Sequence, residues 1–194
     1  MYTPEHFAVE DRRELIAFMR QYPFAAIATA RDGHVEATHA PLTIVERGDE
    51  LVLVGHFARA NPHWKALEAG AESLAIFAGP HAYISPLLYE SKLSVPTWNY
   101  AVVHAYGHAV GIDAEQAVLQ LVQQVDPAYR GQWDELPEQF RSKMLNGVAA
   151  FEIHVSRLEG KYKLSQNRPV GDQARVAASF AGTDLGELMK RRQR

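Results

Sequence analysis

No cysteine occurs in the 194 residues, which removes disulfides, thiolate nucleophiles and cysteine-ligated metal or iron–sulfur centres from the chemistry open to this chain. The fold must hold by packing. A dominant charge is missing too: 22% of residues are charged and the formal net charge is only −3, so no broad basic field of the kind that attracts phosphate backbones covers the surface. The local exception is the run Lys190, Arg191, Arg192, Gln193, Arg194. It is either a nucleic-acid contact or a solvated helix end whose cations suit the dipole. No apolar run approaches membrane-spanning length, and the opening MYTPEHFAVEDRRE carries acids where a secretory leader needs an apolar core. A soluble, cytoplasmic protein with no membrane partner is expected. GxSxG elbows, P-loops and GxGxxG turns are also absent, which leaves hydrolase, nucleotidase and dinucleotide-binding readings without their usual support. Nine histidines invite a metal, yet none forms an HExxH pair. His104 and His108, four apart on an expected strand, share a face without lying close enough to be adjacent ligands.

What the chain has is concentrated between Gly79 and Gly107, GPHAYISPLLYESKLSVPTWNYAVVHAYG. Tyr83, Tyr89, Trp98, Tyr100 and Tyr106 interleave there with His81, His104, Ser85, Lys92, Thr97 and Asn99. Planar faces, hydrogen-bonding edges and proline-stiffened backbone are the materials of a small-molecule pocket. Tyrosine and tryptophan half-buried with a satisfied polar tip would equally build an interface or a polar-capped core.

The patterning places a first helix after Asp11, whose spacing to Glu14 suits a capping box, with Leu15, Ile16, Phe18 and Met19 as its apolar stripe. Strands are expected over Phe24 to Ala30 and Val35 to Glu46, joined by the hairpin dipeptide Asp32-Gly33, and again at Leu51 to Val54. Asn61 and Pro62 supply an N-cap and first-turn proline for a helix through Glu68. A strand returns at Ser73 to Phe77. Between Thr97 and Val110 a longer strand alternates His104, Tyr106 and His108 with small apolar residues, which gives it one wet or ligand-facing side. Asp113 and Gln116 open a helix, a second follows Pro137, and the link between them, with Pro127 and Gly131, offers no compelling helix-turn-helix. Strand resumes at Ala149 to Val155 and again at Lys161 to Ser165, and the chain is helical from Pro169. The expectation is a single domain over 1–194, mainly β with flanking helices (α+β), with a helical insertion over 112–147 and a helical C-terminal tail over 169–194. Strands in the middle and helices at the ends favour a small antiparallel barrel over a parallel sheet.

Gly55 to Trp64, GHFARANPHW, places Arg59, His56 and His63 around a strand-to-helix junction. Backbone amides at a helix start beside a guanidinium suit a phosphate; otherwise Arg59 pairs with a surface carboxylate and Asn61 merely caps. The run Lys163 to Arg168, KLSQNR, either caps the same pocket or ends the sheet in solvent.

Taken in order, MYTPEHF, ATHAPL (Ala37 to Leu42), GHFARANPHW, GPHAYISP (Gly79 to Pro86), VPTWNY (Val95 to Tyr100), HAYG (His104 to Gly107) and KLSQNR resemble the PaiB-like family of FMN-binding negative transcriptional regulators, within the flavin split-barrel superfamily. The resemblance implies an antiparallel split β-barrel that dimerises, with FMN near the subunit interface and its phosphate held from Arg59 to Trp64, a span that includes Asn61 and that His56 precedes as a further candidate contact. It further implies Thr38 and His39 near the flavin ring, Trp98, Asn99 and Tyr100 lining it, and Lys163 and Gln166 as additional contacts. The substrate-binding pattern of pyridoxamine-phosphate oxidases is not reproduced, so that reaction is not implied. A regulatory homodimer acting through DNA or a protein partner is the leading expectation. A flavin-dependent oxidoreductase and a haem-binding split barrel are its alternatives.

Overall fold

The computed structural model describes residues 1–192; Gln193 and Arg194, the end of the basic tail, lie outside the described residues. In chain order the elements are β1 (Ala8–Val9), α1 (Arg12–Gln21), β2 (Phe24–Arg31), β3 (His34–Pro41), β4 (Thr43–Arg47), β5 (Glu50–Ala58), α2 (His63–Glu68), β6 (Glu72–Ile84), β7 (Thr97–Gly111), α3 (Ala114–Val125), α4 (Tyr129–Glu135), α5 (Glu138–Leu145), β8 (Val148–Lys163), α6 (Val170–Ser179) and α7 (Asp184–Arg192). The hydrogen-bonded strand order is β3-β2-β6-β7-β8-β5-β4, with β1 added against β8. The fold is mainly antiparallel sheet with flanking helices, as the patterning predicts.

Local chemistry explains most boundaries. Asp11 Oδ1 accepts the Arg13 amide at 2.8 Å and opens α1, whose Leu15, Ile16, Phe18 and Met19 are all buried. Asp32 (φ 51°) and Gly33 (φ 78°) both take positive φ, the geometry that lets a two-residue loop follow the natural strand twist. The β2–β3 register then runs from Arg31↔His34 to Phe24↔Pro41.

The expected single strand from Val35 to Glu46 is two strands. Pro41 has no amide to donate, and at Leu42 the backbone amide turns aside to Pro23 O at 2.9 Å. The chain thereby leaves β2 and pairs with β5 from Thr43↔Val54 onward. β5 is buried continuously from Leu51 to Gly55, since both of its faces are covered; on one of them Ala117 of α3 packs with Val52 and Val54. The strand expected at Leu51 to Val54 therefore extends to Ala58. The two segments expected around Gly160 are one strand, β8, running through it.

The link from Val125 to Leu136 holds a short helix, α4, that the sequence reading did not place. Pro127 precedes the helix and Gly131 sits inside it, but Trp133 is buried and its Nε1 donates to Glu115 Oε1 at 3.1 Å. That tertiary anchor outweighs the weak local propensity.

The chain divides into two compact units. An inner unit comprises Ile16–Phe77 and His104–Leu158, and a terminal unit comprises Met1–Leu15, Ala78–Val103 and Glu159–Arg194. The inner core includes Ile27, Leu42, Leu53, Phe57, Phe77, Phe151 and Ile153; the terminal one includes Phe7, Ile84, Tyr89, Tyr162, Leu164 and Met189.

Candidate functional site

The inner unit carries six of the expected site residues, Thr38, His39, His56, Arg59, Asn61 and Trp64. β5 ends at Ala58, and Arg59 is laced to the segment that begins β8. Its amide donates to Gly147 O at 2.7 Å, its Nε to Asn146 O at 3.1 Å and its Nη2 to Val148 O at 2.8 Å. The guanidinium therefore meets carbonyls and not a surface carboxylate. No bond among the described residues uses Nη1. Trp64 Nε1 donates to Arg59 O at 2.9 Å, and the guanidinium carbon lies 5.6 Å from the indole centroid. Arg59 and Trp64 form one wall of a cavity of about 440 Å³ whose other walls include Leu67, Val110, Ile112 and Phe151. That size falls within the usual range for small-molecule sites.

On the other side of the junction a chain of short hydrogen bonds runs into the core. The helix begins at His63 with Pro62 at the N-cap position, one residue later than the sequence context predicts, and Asn61 Oδ1 accepts the His63 amide at 3.1 Å. That bond orients the Asn61 amide, and Nδ2 donates to Thr38 Oγ1 at 2.9 Å. Thr38 Oγ1 is also 2.9 Å from His63 Nδ1. His63 Nε2 is 2.9 Å from Thr29 Oγ1, and Thr29 Oγ1 is 2.8 Å from Ser73 Oγ. His63, Thr29 and Ser73 are each 1% exposed. Burial pushes the His63 pKa below its ordinary value, partly opposed by the charge of Glu36, and the Phe57 ring stacks on the imidazole at 5.0 Å. The imidazole thus lies between two hydroxyls, with an aromatic ring against its face.

His39, exposed on β3 and opposite Ala26, lies 6.1 Å from the Phe24 ring in a stacked arrangement. His56 is half-buried on β5 opposite Ala150, and burial pushes its pKa down.

The terminal unit holds the other five, Trp98, Asn99, Tyr100, Lys163 and Gln166. Trp98 is 52% exposed, with His81 at 6.0 Å and Tyr83 edge-on at 6.3 Å. Asn99 is fully buried and spent internally: its Nδ2 donates to Ser165 Oγ at 2.9 Å, and the Ser165 hydroxyl donates back to Oδ1 at 3.2 Å. Tyr100 is half-buried with Lys161 Nζ 5.4 Å from its ring centre. Lys163 Nζ donates to Thr97 Oγ1. Gln166 folds over its own turn, accepting the Leu164 amide at 2.6 Å and donating to Tyr162 O, beside Ser165 at φ 70°. The KLSQNR run thus closes the end of β8 upon itself.

The residues that sequence reasoning missed are His63 as a buried hub and Thr29 with Ser73 beneath it. The available signal was parity. On β2, Thr29 occupies the same inward face as Ala25 and Ile27, where a hydroxyl needs a partner.

The chain matches the family model described as "Putative FMN-binding domain" over residues 1–157. It is 36% identical over 201 aligned residues to "Protease synthase and sporulation protein PAI 2" of Bacillus subtilis (strain 168), covering 98% of this chain and 97% of the relative. An uncharacterized protein of Emericella nidulans is 32% identical, covering 71% of this chain and 70% of the relative. Among solved structures, the FAD and heme binding protein from Mycobacterium smegmatis superposes with a TM-score of 0.62 at 20% identity, covering 80% of this chain and 73% of the other. The flavocytochrome Anf3 from Azotobacter vinelandii gives 0.62 at 18% identity, covering 80% and 69%. At these identities the structural likenesses establish a shared fold.

Proposed function

Because the chain belongs to the FMN-binding domain family, we propose that it is an FMN-binding split-barrel protein, a single-domain homodimer with a regulatory role in the cytoplasm. The observation that carries this reading is the Arg59–Trp64 junction, where a guanidinium and an indole wall a cavity of about 440 Å³. The residues present suit a flavin mononucleotide. Arg59 retains Nη1 for a phosphate oxygen beside the Trp64 indole, while Thr38, His39 and Asn61 lie outside that cavity's lining, with His39 on the opposite face of β3 from Thr38. When bound, FMN supplies hydride and single-electron chemistry; the chain's own residues bind, orient and screen it.

The regulatory part rests on the resemblance to the PaiB-like family, with a Bacillus relative named for protease synthesis and sporulation, and leaves DNA and protein partners both open. A flavin-dependent oxidoreductase is the second reading, favoured by the cavity itself, whose volume of about 440 Å³ suits a small-molecule ligand. Haem draws less support from the site, since His63 has both ring nitrogens engaged by hydroxyls.

The test is an absorbance spectrum of purified protein, heat release and identification of any yellow cofactor, and FMN titration of the remainder. Stoichiometric FMN binding supports the reading. A protein that neither retains nor rebinds FMN refutes it.

A further inference from the structure

Arg59 is the cationic side chain in the lining of the cavity, and Glu68, Asp113 and Glu115 are its carboxylates. A carboxylate accepts hydrogen bonds and cannot donate them. An anion seated at Arg59 Nη1 therefore leaves the rest of a ligand facing acceptors, where bare lone pairs or a second negative group would be repelled. The body of a fitting ligand must offer N–H or O–H.

Of the three acids, Glu115 is the one held in place within the site. Glu68, exposed at the end of α2, has no hydrogen bond among the described residues to fix it. Asp113, also exposed, spends Oδ1 on the Gln116 amide at 2.8 Å as the N-cap of α3. Glu115 is half-buried in the first turn of α3. Its Oε1 accepts from Trp133 Nε1 at 3.1 Å, and Trp133 is itself only 6% exposed. Arg141 Nη1 stands 3.8 Å from the same oxygen, an ion-pair distance too long for a hydrogen bond. No bond among the described residues uses Oε2. A buried indole thus pins one oxygen and leaves the other as a pre-oriented acceptor, so a ligand donor meets it without first ordering a free side chain.

We propose that Glu115 is a specificity-determining residue of the cavity, whose Oε2 takes a hydrogen bond from an N–H or O–H on the ligand body while Arg59 holds the anionic end. The ligand class is bipolar, with one anionic group and a body bearing at least one donor. The inference rests on the FMN reading above and deepens it, since FMN meets the pattern with a phosphate at one end and, on its body, an imide N–H and the ribityl hydroxyls.

The test begins with FMN titrations of the native full-length chain and of Glu115→Gln. The variant keeps an oxygen for Trp133 Nε1 and turns the other position into an NH₂, so a ligand donor would face a donor. FMN affinity should fall by about tenfold or more, the worth of a hydrogen bond to a charged group, with the melting temperature of the free protein unchanged. Both chains are then titrated with two kinds of FMN analogue, one methylated at the imide nitrogen and one with a ribityl hydroxyl replaced by hydrogen. One kind should lose about tenfold on the native chain and no more than about twofold on Glu115→Gln, and which one does so names the donor. Glu115→Gln that binds FMN as tightly as the native chain, or analogues that all bind the native chain as FMN does, overturns this inference and leaves the functional reading standing. An analogue loss of equal size on both chains also overturns it, because the donor then meets another group. No FMN binding to the native chain overturns both. The analogue titrations of the native chain do not depend on the variant folding.

Discussion

At the scale of single residues, Arg59 is asked to do two things. Its Nε and Nη2 hold the carbonyls of Asn146 and Val148, and Nη1 remains for an anion. Arg59→Ala should therefore weaken FMN by roughly ten- to a hundredfold, the value of a charge-assisted hydrogen bond, while Lys92→Ala, at an exposed loop position, should leave it within a factor of two or so. Isothermal titration of both variants decides it, and equal affinities would remove the phosphate from Arg59. A thermal melt run alongside separates the roles: loss of the carbonyl clamp lowers Tm, loss of phosphate binding does not. Arg59→Lys is expected to recover part of the affinity but little of the clamp, since a point charge cannot reproduce the planar fork that reaches two carbonyls.

Elements are where the sequence could be read furthest, and also where reading stopped. Capping at Asp11, the Asp32-Gly33 turn and the period-two face of β7 are local in cause, and each is present. On that strand His104 and Tyr106 are half-buried and His108 exposed between buried small residues. The break at Leu42 and the helix at α4 have non-local causes, a backbone bond to Pro23 and the Trp133–Glu115 contact, so no window of neighbouring residues contains them. The candidate site divides in the same way. The junction from Arg59 to Trp64 is legible because its residues are adjacent, whereas the His63 chain joins residues up to 44 positions apart. A further non-local constraint lies on β7. A Cβ added at Gly107 would stand 2.1 Å from the backbone oxygen of His154, a group that cannot rotate away. Gly107→Ala is expected to destabilise by about 3 kcal/mol, at the upper end for overpacking, whereas Gly111→Ala on the same strand, with nothing within 4 Å of its Cβ, should cost well under about 1 kcal/mol. Urea midpoints for the two variants test this, and similar midpoints would mean that the β7–β8 approach relaxes freely.

For the whole molecule the open matter is which partner the proposed regulatory role would require. With a net charge of −3, long-range attraction to a phosphate backbone must come from a local patch, and the basic tail is the sequence's one candidate. Two of its cations are engaged within the chain. Lys190 Nζ donates to Glu187 Oε1 at 2.8 Å. Arg192 Nη2 reaches both carboxylate oxygens of Glu14 at 2.8 and 2.9 Å and lies 5.0 Å from the Tyr162 ring centre. The Lys190 pair lies within α7, whereas the Arg192 pair ties α7 to the start of α1 inside the terminal unit, and each neutralising acid reduces the field a nucleic acid would meet. Truncation after Met189 should therefore leave DNA affinity and its salt dependence as they are in the full chain, and should lower stability only slightly, since a partly exposed ion pair contributes under about 1 kcal/mol. Gel-shift titrations at two or more salt concentrations measure this directly. A truncated chain whose affinity collapses, with a salt slope reduced by about one for each phosphate no longer neutralised, would return the tail to the role of DNA contact. An unchanged slope directs the search for a regulatory partner to the rest of the surface.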